Sequence, residues 1–238
     1  MTLLSIVQTT LREIPGAEVP STVAENTNET AVLSLALVNR TMLELARRYD
    51  WDQLTIRYTI TTVASQEEYS LPSDWERFIS GTWWDGTNIW KMEGPATAEQ
   101  WERLKVWTSS TTVRRWFRLF QGASATPRKI YIFPTPAASS ESLTMEYISN
   151  QPVLSAASAG KEKFTVDTDT CLLDEDIVSL GFKWRFLQSK GLPHSEEFRD
   201  FEMALNRLKG DAGGQILAFG PSSDNERGFA TEEGNYTL

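Results

Sequence analysis

His194 and Cys171 are the only histidine and the only cysteine in the 238 residues, so nucleophilic or zinc chemistry would have to use them. A Ser-His-Asp or Cys-His device needs nucleophile, base and orienting group within hydrogen-bond reach. His194 stands in Gly191-Leu192-Pro193-His194-Ser195, a turn between two helical patterns. No glycine-rich nucleophile elbow accompanies it, and it reads as a polar turn residue. One Cys and one His cannot assemble the ligand sets that zinc takes. The lone thiol also excludes an intramolecular disulfide and suits a reducing cytosol.

Calcium is the next chemistry to weigh. Asp167-Thr168-Asp169-Thr170-Cys171, followed by Asp174-Glu175-Asp176, is acidic enough to suggest it. The string lacks the turn glycine and the terminal bidentate glutamate of an EF-hand loop. Residues 174–176 also open a helix, where negative charge is favourable in any protein. Gly210-Asp211-Ala212-Gly213-Gly214 follows a helix and reads as a C-cap and linker, not a phosphate cradle. No feature marks a carboxylate pair for glycoside hydrolysis. The expectation is a protein that is not an enzyme, with no cofactor and no metal.

Tryptophan is the compositional oddity. Eight of nine lie at Trp51, Trp75, Trp83, Trp84, Trp90, Trp101, Trp107 and Trp116, beside the basic strand Arg114-Arg115-Trp116-Phe117-Arg118. Such a cluster could stack on sugars or bases. The preferred reading places the indoles in a sheet core and in contacts between subunits.

The elements that carry these residues follow from periodicity. A first helix is expected from Thr2 to Ile14, stopped by Pro15-Gly16; the N-terminal residues lack a basic n-region and read as this helix instead of a signal peptide. Asn26 with Glu29 resembles a capping box opening a second helix to about Arg48. Its apolar positions Leu35, Val38, Met42, Leu45 and Tyr49 make one face, with Leu33, Leu37 and Leu43 as a second stripe. Strands are expected at 53–63, 78–84, 112–120, 129–133 and 142–148, with a short helix at 97–107. Leu173, Ile177, Leu180, Trp184 and Leu187 then mark a third long helix. Ser195 caps a fourth, carrying Phe198, Phe201, Leu205 and Leu208.

The fold class is therefore α+β. Residues 1–50 and 166–211 would form a four-helix unit from the two chain ends, with a mainly antiparallel β domain inserted at 51–165. Residues 212–238 would be an extended C-terminal arm whose Phe219, Phe229 and Tyr236 are spaced too widely for a core and read as interface anchors. No apolar run approaches the length of a membrane span, so no membrane partner is expected.

The net charge of −9 is concentrated at the end of the chain. Residues 1–50 carry 4 basic and 6 acidic side chains, 51–165 carry 12 and 12, and 166–238 carry 7 and 14. This lacks the footprint of a protein that grips phosphate backbones.

The order of landmarks carries a resemblance. Leu45-Ala46-Arg47-Arg48-Tyr49-Asp50-Trp51 leads into a Thr-rich strand, then Tyr69-Ser70-Leu71-Pro72-Ser73-Asp74-Trp75-Glu76-Arg77, then Pro127-Arg128-Lys129-Ile130-Tyr131-Ile132-Phe133-Pro134-Thr135-Pro136. Over about residues 1–210 this succession resembles the head-to-tail adaptor proteins of tailed bacteriophages, the tail tubular protein A-like group. The resemblance implies a subunit of a ring, commonly of twelve copies, docked beneath a portal protein ring in the virion neck. DNA would pass through the lumen without sequence-specific binding, a tail nozzle or tail tube would attach below, and assembly would occur in the host cytoplasm. The alternative is a Trp-rich carbohydrate- or surface-binding module of a virion.

Overall fold

The computed structural model describes residues 1–106, 114–120 and 128–212. Among them are five α-helices: α1 (Leu3–Arg12), α2 (Glu29–Arg48), α3 (Ala98–Val106), α4 (Glu175–Ser189) and α5 (Ser195–Ala212). The longer strands are β1 (Thr55–Thr61), β2 (Glu68–Ser70) and β3 (Trp75–Phe78), then after β4 (Trp84–Asp85) and β5 (Trp90–Lys91) come β6 (Trp116–Phe120), β7 (Lys129–Phe133) and β8 (Ser142–Ser149). Three two-residue strands follow, β9 (Val153–Leu154), β10 (Gly160–Lys161) and β11 (Thr170–Cys171). The strand pairings are antiparallel, so the chain is α+β with antiparallel sheets. Its described residues divide into two compact units, one from residues 1–55 and 149–212, the other from 56–148.

In the first unit, α4 packs against α1, α2 and α5. Three of these helices, α1, α2 and α4, start at a side-chain cap: the Thr2 hydroxyl accepts from the Ser5 amide, Asn28 from the Thr30 amide, and Asp174 from the Asp176 and Ile177 amides. The cap of α2 is thus Asn28 and not Asn26, whose side chain instead accepts the Asn28 amide and shapes the approach. The buried faces also depart from the apolar count. On α2 the small and polar residues Ala31, Ser34 and Thr41 are buried, whereas Leu43 is 48% exposed. On α4, Gly181 and Arg185 are buried, while Leu180 and Trp184 are only partly covered. The reason is close helix approach. A Cβ on Gly181 would lie 2.5 Å from Thr41 Cγ2 and 3.0 Å from a ring carbon of Phe201, so small residues at this crossing replace the expected leucines.

Two loops are stitched to these helices. Asn39 of α2 accepts the Phe164 amide at 2.8 Å and donates to its carbonyl at 3.2 Å, seating the buried Phe164 ring. The small sheet β10-β9-β11 reaches α1 through a bridge between Thr2 and Thr170.

The second unit holds a five-stranded sheet in the order β1-β8-β4-β5, with β3 also paired to β8, and a three-stranded sheet β2-β7-β6. Alternation along β8 sends Leu143, Met145 and Tyr147 into a core shared with Ile60, Phe117, Ile130 and Ile132. β7 matches its expected span to the residue. The strand expected at 78–84 is instead split into β3 and β4, because Gly81 turns the chain with φ +84°. α3 begins with a reciprocal cap, the Gln100 amide donating to Thr97 Oγ1 and the Thr97 amide to Gln100 Oε1. Its buried Trp101 meets Tyr131 and Phe133 edge-on.

Candidate assembly surfaces

The residues with chemical potential are tied into the fold. Cys171 donates its thiol to the Leu173 carbonyl at 3.0 Å beside the Met42 sulfur, and burial pushes its pKa up to about 11. A thiol so raised is a poor nucleophile near neutral pH. The His194 ring lies 3.1 Å from the Leu192 carbonyl across the turn that precedes α5. Among the described residues no three His, Cys, Asp or Glu side chains gather as a metal site requires.

The acidic string serves another purpose. Asp167 accepts the amides of Val23 and Ala24 at 2.8–3.1 Å. Asp169, 1% exposed, accepts Lys161 Nζ at 2.8 Å and the amides of Thr165 and Val166 at 2.8 and 2.9 Å. Burial pushes the Asp169 carboxyl up, but the lysine and the two amides outweigh it and hold its pKa below the usual carboxylate value. Lone pairs that a cation would need are occupied by N–H donors, which bind the loop at 165–169 to Lys161 and to the chain before α2, while the backbone carbonyls of Asp169 and Asp167 accept from Leu3 and Leu4 at the start of α1.

The basic strand is likewise committed. Arg115 is buried, with Nε 2.9 Å from Asp85 and Nη2 2.5 Å from Glu141. Arg114 pairs with Glu93 at 3.4 Å and lies over Trp90, and Arg118 lies over Phe120. Of the eight described tryptophans, Trp51, Trp75 and Trp101 are buried and the other five are half-buried. Trp51 donates to the Leu45 carbonyl at 2.7 Å, and Trp83 packs edge-on against Phe117. Trp107 lies outside the described residues. The indoles of the described chain are thus packing groups more than an open stacking platform.

Sequence reasoning missed two buried ionic groups. One is Asp85–Arg115–Glu141. The other is Arg185, 4% exposed, which donates to Thr41 at 2.9 Å, to the Gly181 carbonyl at 3.0 Å and to Glu44. Burial lowers the Arg185 pKa, opposed by Glu44. Polar side chains dilute an apolar stripe, and their partners are 26 to 144 residues away in sequence, so no local pattern announces them.

What remains open is surface suited to contacts. Val32 and Leu43 are exposed on α2, Phe198 and Met203 on α5, and Ile56 and Val63 along and just beyond β1. The anchors Phe219, Phe229 and Tyr236 lie outside the described residues. No described helix is long and apolar enough to cross a membrane.

An α+β chain whose buried charged groups are paired with opposite charges, with apolar side chains left outward on helices and an edge strand, has the make-up of a structural assembly part. The family comparison agrees: the family model of the SU10 adaptor protein matches residues 1–217. The chain belongs to that family, a family of phage head-to-tail adaptors, and is a structural component of a phage virion. No curated protein matches the chain.

Proposed function

We propose that this adaptor works as one member of a ring, commonly of twelve copies, seated beneath the portal protein ring, with the tail nozzle or tail tube attached below. The observation that carries the reading is the family match over 217 residues, spanning the helices of both chain ends and the β region between them. In this reading residues 1–50 and 166–211 act as one four-helix body and 51–165 as the inserted β domain. Residues 212–238 are a C-terminal arm anchored by Phe219, Phe229 and Tyr236 on a neighbour.

DNA passes through the lumen without sequence-specific contact. The charge pattern supports this, because the acidic excess falls in the last third of the chain. An acidic wall repels phosphate and lets the duplex slide, whereas a basic wall would hold it. Residues 174–211, with eight acidic and six basic side chains, are assigned to that wall. Images of the protein bound to its portal ring test the assignment: it requires 174–211 on the lumen side, and an outward position overturns it.

A further inference from the structure

Among the described residues β1 is an edge strand, at the end of the order β1-β8-β4-β5. Thr62, just beyond it, donates to the Glu141 carbonyl at 2.9 Å and accepts the Ser140 amide at 2.8 Å, so its backbone groups face β8. Within β8 the Ser142 and Glu146 carbonyls face the opposite way, toward Gly86 and Ile79. Alternation then turns the amides and carbonyls of Tyr58 and Ile60 toward β8 and those of Arg57, Thr59 and Thr61 outward. Among the described residues β8 is the strand that neighbours β1 in the sheet order, and all three residues are exposed. The next outward amide, at Val63, is closed by the Tyr69 hydroxyl at 3.1 Å. The open edge is therefore the five residues 57–61.

Natural sheets blunt such edges with proline, lysine, bulges or a covering segment. β1 reads Thr-Ile-Arg-Tyr-Thr-Ile-Thr, without proline or lysine and with one charge. An edge left in this state is a template for another strand. The chain beyond Ala212 supplies a matching piece: Gln215-Ile216-Leu217-Ala218-Phe219 is uncharged, has β-forming side chains and sits between Gly213-Gly214 and Gly220-Pro221. Five extended residues span roughly 17 Å, the length of the open edge.

We infer that residues 215–219 of a neighbouring copy add to the outer edge of β1 as an extra strand. This rests on the ring reading above and gives its arm a receptor. Each copy donates one strand and accepts one, a head-to-tail contact that closes in a ring and leaves no copy of β1 uncovered. Phe219 then acts as the side chain that fixes the register of the added strand.

The test mixes two full-length single-cysteine additions, Thr59→Cys and Leu217→Cys, on the portal ring and, separately, as concentrated free protein, with a short bismaleimide. The native Cys171, which is half-buried, is replaced by alanine in both variants so that only the added thiols react. Cross-linked dimers in the mixture, absent from either variant alone, are expected. Adding Thr59→Pro in the accepting copy's place removes an outward donor without touching the bonds to β8, and should cut association of that copy about tenfold. Cross-linking only within one copy, in a chain carrying both cysteines, overturns the exchange, as does no cross-linking in either sample. Cross-linked dimers in free protein that never joins a portal would leave this inference standing and defeat the ring reading. Normal incorporation without cross-links would do the reverse.

Discussion

Arg185 of α4 donates to the Thr41 hydroxyl of α2 at 2.9 Å, and Thr41 in turn donates to the Leu37 carbonyl at 2.8 Å. One side chain thereby anchors a buried guanidinium and satisfies its own hydroxyl. It can do so because the crossing is tight, with Gly181 offering no Cβ against Thr41 Cγ2. A buried charge held this way is costly to disturb, since removing one partner leaves the other unpaired in the interior.

Gly181→Ala should therefore destabilise the helical unit by about 2 kcal/mol through overpacking. The added methyl meets Thr41 Cγ2, which serine lacks, so Gly181→Ala with Thr41→Ser should recover part of the loss while keeping the hydroxyl. Thermal unfolding of the two single variants and the pair checks the coupling. Full additivity would place the strain elsewhere.

Asp169→Asn should cost about 2 kcal/mol, because it uncouples Lys161 and weakens the acceptor for the Thr165 and Val166 amides. The wild-type pH dependence follows from the depressed carboxyl. Its contribution is complete above the ordinary carboxylate pKa of about 4 and is lost as pH falls through the lower folded value. Denaturant unfolding from pH 7 down to acid should show wild type and variant converging below about pH 4.

How much of this was legible beforehand differs by element. β7 and β8 were readable because each alternates against a one-sided core, and the order helix, sheet, helix was clear from the change of period. The helix faces were not. A stripe count ranked Leu43 and Leu180 above Thr41, Gly181 and Arg185, yet close packing selects small side chains and a long polar one that can reach a distant partner. Single-sided hydrogen bonding of β1 was equally hidden, because alternation in a sequence says which face is buried and never which edge is paired. Among the site residues, the reading of His194 as a turn residue follows from its setting in Gly191-Leu192-Pro193-His194-Ser195. Asp167 and Asp169 needed coordinates, since their partners include backbone amides near residue 23.

The β unit should depend on Arg115. Arg115→Met removes the cation between Asp85 and Glu141 and leaves Asp85, 2% exposed, with only the donors of Thr87 and Asn88. A loss of about 3 kcal/mol is expected. Hydrogen exchange should show it in β6 and β8 first, with the amides of α2 and α4 less affected. Uniform loss across both units would contradict the local role of this group.

Tryptophan emission should be insensitive to glycans. The described indoles are buried or half-buried, and several pack edge-on against other rings. Titration with a panel of bacterial surface glycans is expected to leave intensity and wavelength unchanged. Saturable quenching would revive the carbohydrate-binding alternative.

The central claim is tested most directly by mass. Light scattering of the purified protein should give a monomer or weak associations, and mixing with its portal ring should add one copy for each portal subunit. A protein that stays monomeric and leaves the portal mass unchanged would contradict the account.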